Sequence, residues 1–332
     1  MIKYVNMNYR SFGSTGLQVW EIGLGCSSIG KRANDDRKSI LVLNRAYELG
    51  INFYDTADGY GYGRSEELIG RTLKDRRSQV IIASKVGTLS SSLGRIGKVL
   101  LPVLEPIRYI IQPWEGVLKR SSRPRQDFSS AYIKKAIDKS LRRLQTDHID
   151  LYQLHNPPTW MLERGEVFET LDCLKNQGKI RFYGVSAETV SDACICLKYS
   201  KVLPLQVVLN LLEQEAVKEL LPLAQQKKIA IIARVPLARG LLTKRMTVQT
   251  GPLIDNRQLQ LGRSKAEEFS FLVNGNQTLP QAASQFVLHH PQVSVVIPGT
   301  RTIKHLEENI EALRAHSLRK EELEKIASLS SS

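Results

Sequence analysis

In the stretch INFYDTADGYGYGRSEELIG, residues 51–70, an apolar run ends on Asp55 and opens into a glycine-rich turn that carries Tyr60. Two further apolar runs end on ionisable side chains: QVIIASKV carries Lys85 near its end, and HIDLYQLH ends on His155. A carboxylate, a phenol, an ammonium and an imidazole brought together suit proton transfer to a carbonyl. A phenol with a pKa of about 10 in water can donate to a developing alkoxide, and a neighbouring ammonium favours its ionised form and draws that pKa toward the working pH. Lys85 would supply the charge and Asp55 would hold the ammonium in place. A neutral His155 with one N–H turned to the carbonyl oxygen would orient it and share its developing charge. Each residue also has a plainer reading, since lone charges at strand ends are mostly salt-bridged structural groups, and Tyr54 and Tyr62 compete with Tyr60.

The elements that must bring these groups together alternate along the whole chain. Strand-like runs are WEIGLGC (20–26), INFYDTA (51–57), QVIIASKV (79–86), HIDLYQLH (148–155), IRFYGVSA (180–187), LQVVLNLL (205–212), IAIIARVPL (229–237) and VSVVIPGT (293–300). Between them lie stretches of helical period, such as 36–50, 129–145 and 167–178, several closed by a glycine. Continuous apolar strands, each followed by a helix, predict a closed (β/α)8 TIM barrel, a single domain spanning 1–332. A doubly wound sheet would want G-x-G-x-x-G after its first strand, and GLGCSSIG (23–30) has the wrong spacing. YRSFGSTGLQVW (9–20) reads as an N-terminal β-hairpin that plugs the bottom of the barrel. In such a barrel the chemistry is built at the C-terminal strand ends, where Asp55, Lys85 and His155 stand.

Two segments break the pattern. Residues 88–128 form a long insertion after strand three, Ser-rich at one end and basic at the other, with Leu, Ile, Tyr109 and Trp114 in a centre broken by prolines. It reads as a lid or interface segment, with peripheral membrane or protein contact through residues 99–118 as an option. Residues 243–265 read as a polar, basic loop that closes over an anion.

Composition narrows the class. The 332 residues carry 42% hydrophobic and 24% charged side chains, an ordinary globular balance. The formal net charge of +14 is spread along the chain without any nucleic-acid-binding motif, so it reads as a basic surface that steers anionic ligands, and no nucleic-acid partner is expected. The four cysteines, Cys26, Cys173, Cys194 and Cys196, form neither a paired framework nor a metal motif. No metal is expected. Neither a secretory leader nor an apolar run of the roughly 18 residues needed for a transmembrane segment is present, and the cytoplasm is the expected compartment.

The segments DTADGYGYGRSEELIG, IIASKVG, SLRRLQTDHIDLYQLHNP, GKIRFYGVSA, ARVPLARGLLT and VIPGTRTIKHLEENIEAL together resemble the aldo-keto reductase superfamily, in register and in order, over residues 8–316 outside the insertion. The resemblance implies an NAD(P)H-dependent oxidoreductase that binds its cofactor without a Rossmann motif. It matches Asp55, Tyr60, Lys85 and His155 to the family's catalytic tetrad, with Tyr60 as proton donor. Arg64, Ser65 and Glu66 are expected to open the next helix, with Glu66 and Glu67 favoured by its dipole.

For the cofactor, the resemblance implies Gly25, Cys26 and Ser27 after strand one, Asp55, then Ser186 and Gln206 on the nicotinamide amide, with Ala187 where the family carries Asn. Arg234 stands where a Tyr often stacks on the nicotinamide. Leu237, Arg239, Gly240 and Leu241 would line the pyrophosphate belt, and Gly299, Thr300, Arg301 and His305 the phosphate end. Glu308 and Asn309 match the adenine-contacting pair. NADPH/NADP+ is thereby implied, resting mainly on Arg301, with NADH possible. Asp150 and Arg143 match family positions as charges that fasten helix three to the barrel.

Candidate pocket walls are Trp20, Tyr60, Trp114 and Trp160. The expected function is reduction of an aldehyde, ketone or sugar-like carbonyl, anionic substrates included. A variant reaction is reduction of an activated C=C or oxidation of a sugar alcohol. The alternative class is a cofactor-binding sensor or regulatory subunit that docks on a partner through its apolar insertion.

Overall fold

The protein was analysed as a computed structural model, which describes residues 8–32, 35–89, 125–243, 256–275, 277–314 and 317–330. Among the described residues ten strands are formed: β1 (Tyr9–Ser11), β2 (Gln18–Trp20), β3 (Leu24–Gly25), β4 (Phe53–Asp55), β5 (Ile81–Val86), β6 (Ile149–His155), β7 (Ile180–Ser186), β8 (Leu205–Val208), β9 (Ile231–Arg234) and β10 (Val293–Ile297). Strands β3 to β10 make one parallel sheet in sequence order. Bridges Ile22↔Val296 and Gly25↔Gly299 join its two edges, with Gly23 N–H donating to Val296 O at 2.8 Å and Gly25 N–H to Pro298 O at 3.1 Å. The result is the expected α/β barrel.

Its interior explains why the strands are apolar on both faces. Phe53, Ile81, Ala83, Leu151, Ala230, Ile232, Val295 and Ile297 form an inner cluster, separate from the larger cluster between strands and helices. Phe12 and Val19 from the β1–β2 hairpin complete that inner cluster, and the Phe12 and Phe53 rings lie 5.5 Å apart. The hairpin therefore plugs the barrel as expected. Arg10 fastens it by donating to the carbonyls of Leu288, His290 and Val293, which end the Leu279–His289 helix and begin β10.

Two expectations are corrected. Trp20 ends β2, fully buried among core residues, so it belongs to the hairpin at the closed end and is no pocket wall. The first barrel strand shrinks accordingly to Leu24–Gly25. Residues 256–265, the second part of the stretch read as loop, belong to the Asn256–Glu267 helix, whose Gly262 lies against Leu241: a Cβ there would sit 2.8 Å from Leu241 Cδ1. Arg64, Ser65 and Glu66 open the Arg64–Leu73 helix as expected, with Glu66 and Glu67 in its first turn, and Glu66 does more than meet the dipole. It is fully buried, accepting from Ser84 Oγ at 2.5 Å and from Arg143 at 2.6 Å.

Arg143 thus fastens the Ser130–Leu144 helix to the Arg64–Leu73 helix. These helices approach so closely that a Cβ on Gly70 would lie 2.5 Å from Arg143 O. Asp150 takes a different part from the one expected: it clamps β6 to β5 and β7 through Arg77 at 2.7 Å, Arg181 at 2.8 Å and Ile82 N–H at 2.9 Å. No helix among the described residues is long and apolar enough to cross a membrane. The centre of the insertion, with Trp114 and residues 99–118, lies outside the described residues.

Candidate active site

Asp55, the last residue of β4, is 3% exposed and uses both carboxylate oxygens. Oδ2 accepts from Lys85 Nζ at 2.6 Å and Oδ1 from Gln206 Nε2 at 2.9 Å. Lys85, 1% exposed, makes its second bond to Thr56 O at 3.0 Å. Burial alone would lower the pKa of such an ammonium, but Asp55 and Tyr60 outweigh it and hold Lys85 above the ordinary lysine value, so it stays charged.

Tyr60 begins the Tyr60–Gly63 turn and anchors its N–H on Ala57 O at 3.1 Å. Lys85 Nζ lies 5.2 Å from the centre of its ring, and the His155 ring meets it edge-on at 5.9 Å. Tyr54 points instead into the core, fully buried. Burial pushes the Tyr60 phenol above its usual value, with Lys85 and then Arg234 pulling the other way. The expectation that the ammonium would dominate is therefore reversed in sign: burial prevails. Burial also drives His155 down to about 3, assisted by Lys85 and Arg234, so the imidazole is neutral throughout the physiological range.

The chain matches the description "Aldo/keto reductase family" over residues 21–331. The chain belongs to the aldo/keto reductase family. It is 33% identical over 331 residues to the uncharacterized oxidoreductase YqkF of Bacillus subtilis, covering 97% of this chain and 96% of that one. Among solved structures, the aldo-keto reductase AKR11C1 from Bacillus halodurans in its holo form superposes with a TM-score of 0.78 at 31% identity, covering 98% of this chain and 96% of the other. An aldo-keto reductase from Klebsiella pneumoniae in complex with NADPH gives 0.71 at 25% identity, with 98% and 96% covered. As an aldo/keto reductase, the protein is an NAD(P)H-dependent oxidoreductase.

The residues around the tetrad fit a nicotinamide cofactor. Because Gln206 Nε2 is committed to Asp55, its buried Oε1 is left without a partner, an acceptor suited to a carboxamide N–H. Ser186 pairs in register with Gln206 and is 1% exposed. Arg234 ends β9 and donates from Nη2 to Ala187 O at 3.0 Å, so the guanidinium lies over the position where the family carries Asn. After it, Val235, Ala238 and Arg239 all take positive φ, a strain for side-chain-bearing residues that concentrates in ligand loops. Leu237, Arg239, Gly240 and Leu241 belong to this turn.

Gly25 lets the barrel seam close, since a Cβ there would meet Ile297 O at 2.9 Å. Ser27 is exposed, whereas the Cys26 side chain turns into the core, where burial raises its thiol, and its backbone is committed within the protein: its N–H donates to Asp55 O and its carbonyl accepts from Ile29 N–H and Ser65 Oγ. Thr302 caps the Ile303–Glu311 helix by accepting from His305 N–H, with Thr300 buried behind it, Gly299 on the seam and Arg301 exposed at its mouth. On that helix Glu308 is exposed and Asn309 buried. Trp160 is 55% exposed on the Thr159–Arg164 helix, with the Arg164 guanidinium 5.5 Å from its ring centre.

Sequence reasoning missed Asp58, Thr88 and Gln126. Asp58 sits in the DTADGYG turn, where its polar neighbours suggest solvent, yet it is 9% exposed, with Tyr132 OH donating to Oδ2 at 3.3 Å. Burial, then Glu66, pushes its carboxyl up to about 7. An unfolded aspartate titrates near 4, so the raised folded value means that Asp58 favours the fold at acid pH and that this contribution is lost as pH rises through about 7. Asp58→Asn should therefore stabilise the protein at pH 8, by something on the order of 2–4 kcal/mol, and the gain should shrink as pH falls toward 4. Urea unfolding of both proteins at several pH values checks this; a gain independent of pH would contradict it.

Proposed function

We propose that this aldo/keto reductase reduces an aldehyde, ketone or sugar-like carbonyl, with Tyr60 as proton donor and NADPH as the preferred cofactor. The observation that carries the reading is the Lys85 ammonium, locked 2.6 Å from Asp55 beneath the Tyr60 ring with a neutral His155 at its edge. A buried ion pair with no surface role is costly to build, and its position under a phenol gives it a chemical one.

When bound, the cofactor supplies a hydride to the carbonyl carbon. Gln206 Oε1 and Ser186 would hold its amide. His155 offers a neutral N–H to the substrate oxygen, and the Tyr60 hydroxyl delivers the proton as negative charge develops there. Lys85 stabilises the resulting phenolate, and Asp55 keeps the ammonium from swinging away. Arg301 and the Thr302-capped helix N-terminus would take the anionic oxygens of the cofactor, in support of NADPH. Trp160 is the substrate wall this reading favours.

The test is fluorescence titration with NADPH and NADH, followed by loss of nicotinamide absorbance in the presence of an aldehyde and ketone panel. Binding of both, tighter for NADPH, with turnover of at least one carbonyl is the expected result. Tight binding without any turnover would favour the sensor class instead, and failure to bind either nucleotide would overturn both.

A further inference from the structure

The neck of the long insertion is built onto His155. Leaving β5, the chain passes Gly87, whose φ of +119° lets the Phe128 ring pack against it: a Cβ there would lie 2.0 Å from Phe128 Cε1. Thr88 then pairs with Gln126 as an antiparallel bridge, flanked by Leu89 N–H to Arg125 O at 2.7 Å and Asp127 N–H to Gly87 O at 2.9 Å. Both members of that bridge touch the end of β6. Gln126 Nε2 donates to Asn156 O at 2.9 Å and to His155 O at 3.3 Å, and Thr88 Oγ1 lies 3.4 Å from His155 Nδ1. On the other side Asn156 N–H donates to Ser186 O at 2.8 Å. The His155 backbone is thus held from two directions, and its ring meets a hydroxyl at one nitrogen.

A neutral imidazole carries one N–H, and the partner of one nitrogen decides which nitrogen keeps the proton. Nδ1 is the one side-chain hydrogen-bond partner of the Thr88 hydroxyl among the described residues, so the hydroxyl hydrogen is best used in an O–H···N bond to it. We propose that Thr88 and Gln126 are positioning residues for His155: Gln126 fixes the ring's attachment, and Thr88 donates to Nδ1 and so places the imidazole proton on Nε2. This rests on His155 acting as donor to the carbonyl, because an Nδ1–H tautomer leaves Nε2 an acceptor that repels the substrate oxygen. The residues that carry the insertion thereby also set the state of the tetrad.

The experiment is nitrogen-15 NMR of histidine-labelled full-length protein at neutral pH, with the His155 signal identified by its loss in His155→Gln, alongside steady-state kinetics. The expected results are a protonated Nε2 in the wild type, a shift toward the Nδ1–H form in Thr88→Val with kcat lowered at least about tenfold at unchanged nucleotide affinity, and recovery of both in Thr88→Ser. An Nδ1–H wild type, or a tautomer unmoved in Thr88→Val, would overturn the proposal. A tautomer that switches in a protein reducing no carbonyl would uphold the positioning role while removing the reductase reading.

Discussion

Lys85→Met is expected to cost about 3–5 kcal/mol of stability and to lower carbonyl reduction by about 10²–10⁴-fold. The stability loss follows from what remains: Asp55 would be left 3% exposed with one donor, Gln206 Nε2, in place of two. The activity loss follows from the phenol, which burial already pushes above its usual value and which would lose its main counterweight. A double variant, Asp55→Asn with Lys85→Met, separates the two effects. It should recover most of the stability, because no charge is left buried, and none of the turnover. Urea unfolding and steady-state kinetics on the wild type and the two variants check this, and a double variant as unstable as the single one would show that packing of the lysine stem, and not its charge, is what matters.

Tyr60→Phe should lower reduction by about 10²–10⁴-fold, the span for losing a positioned proton donor, while NADPH affinity and the unfolding midpoint stay near wild type. The substitution removes one hydroxyl and keeps the ring that packs against Lys85 and His155. The pH dependence carries the sign. Reduction uses protonated Tyr60, whose value in the protein lies above that of free tyrosine, so wild-type reduction should hold across neutral pH and decline only in alkali, while alcohol oxidation, which needs the phenolate, rises there. His155, titrating at about 3, adds no limb near neutrality. In Tyr60→Phe the residual rate should lack the alkaline limb; unchanged reduction with intact cofactor binding would remove Tyr60 from the chemistry.

Much of this site is legible in the chain because barrel strands are buried on both faces, so an ionisable residue closing an apolar run stands out. Asp55, Lys85 and His155 do so, and the structure brings all three together with Tyr60. Signals of another kind were silent. The direction of the Tyr60 shift depends on how deeply the ring is covered, which composition does not report. Trp20 reads as the start of a barrel strand because hairpin and barrel strand run on with only Glu21, Ile22 and Gly23 between them. The Asn256–Glu267 helix hides in a basic, polar stretch, and Gln126 reaches His155 from the far end of the insertion, a contact no local pattern encodes.

The plugged end of the barrel has a practical meaning. With Phe12 and Val19 filling one end and every group of the tetrad at or beyond the opposite strand termini, the hairpin turn and the reactive mouth lie at opposite ends of the barrel. Ser14 is exposed on that turn. A thiol introduced there would tether the enzyme to a bead or an electrode with its mouth facing outward, so that the orientation of an immobilised layer follows from where the hairpin lies.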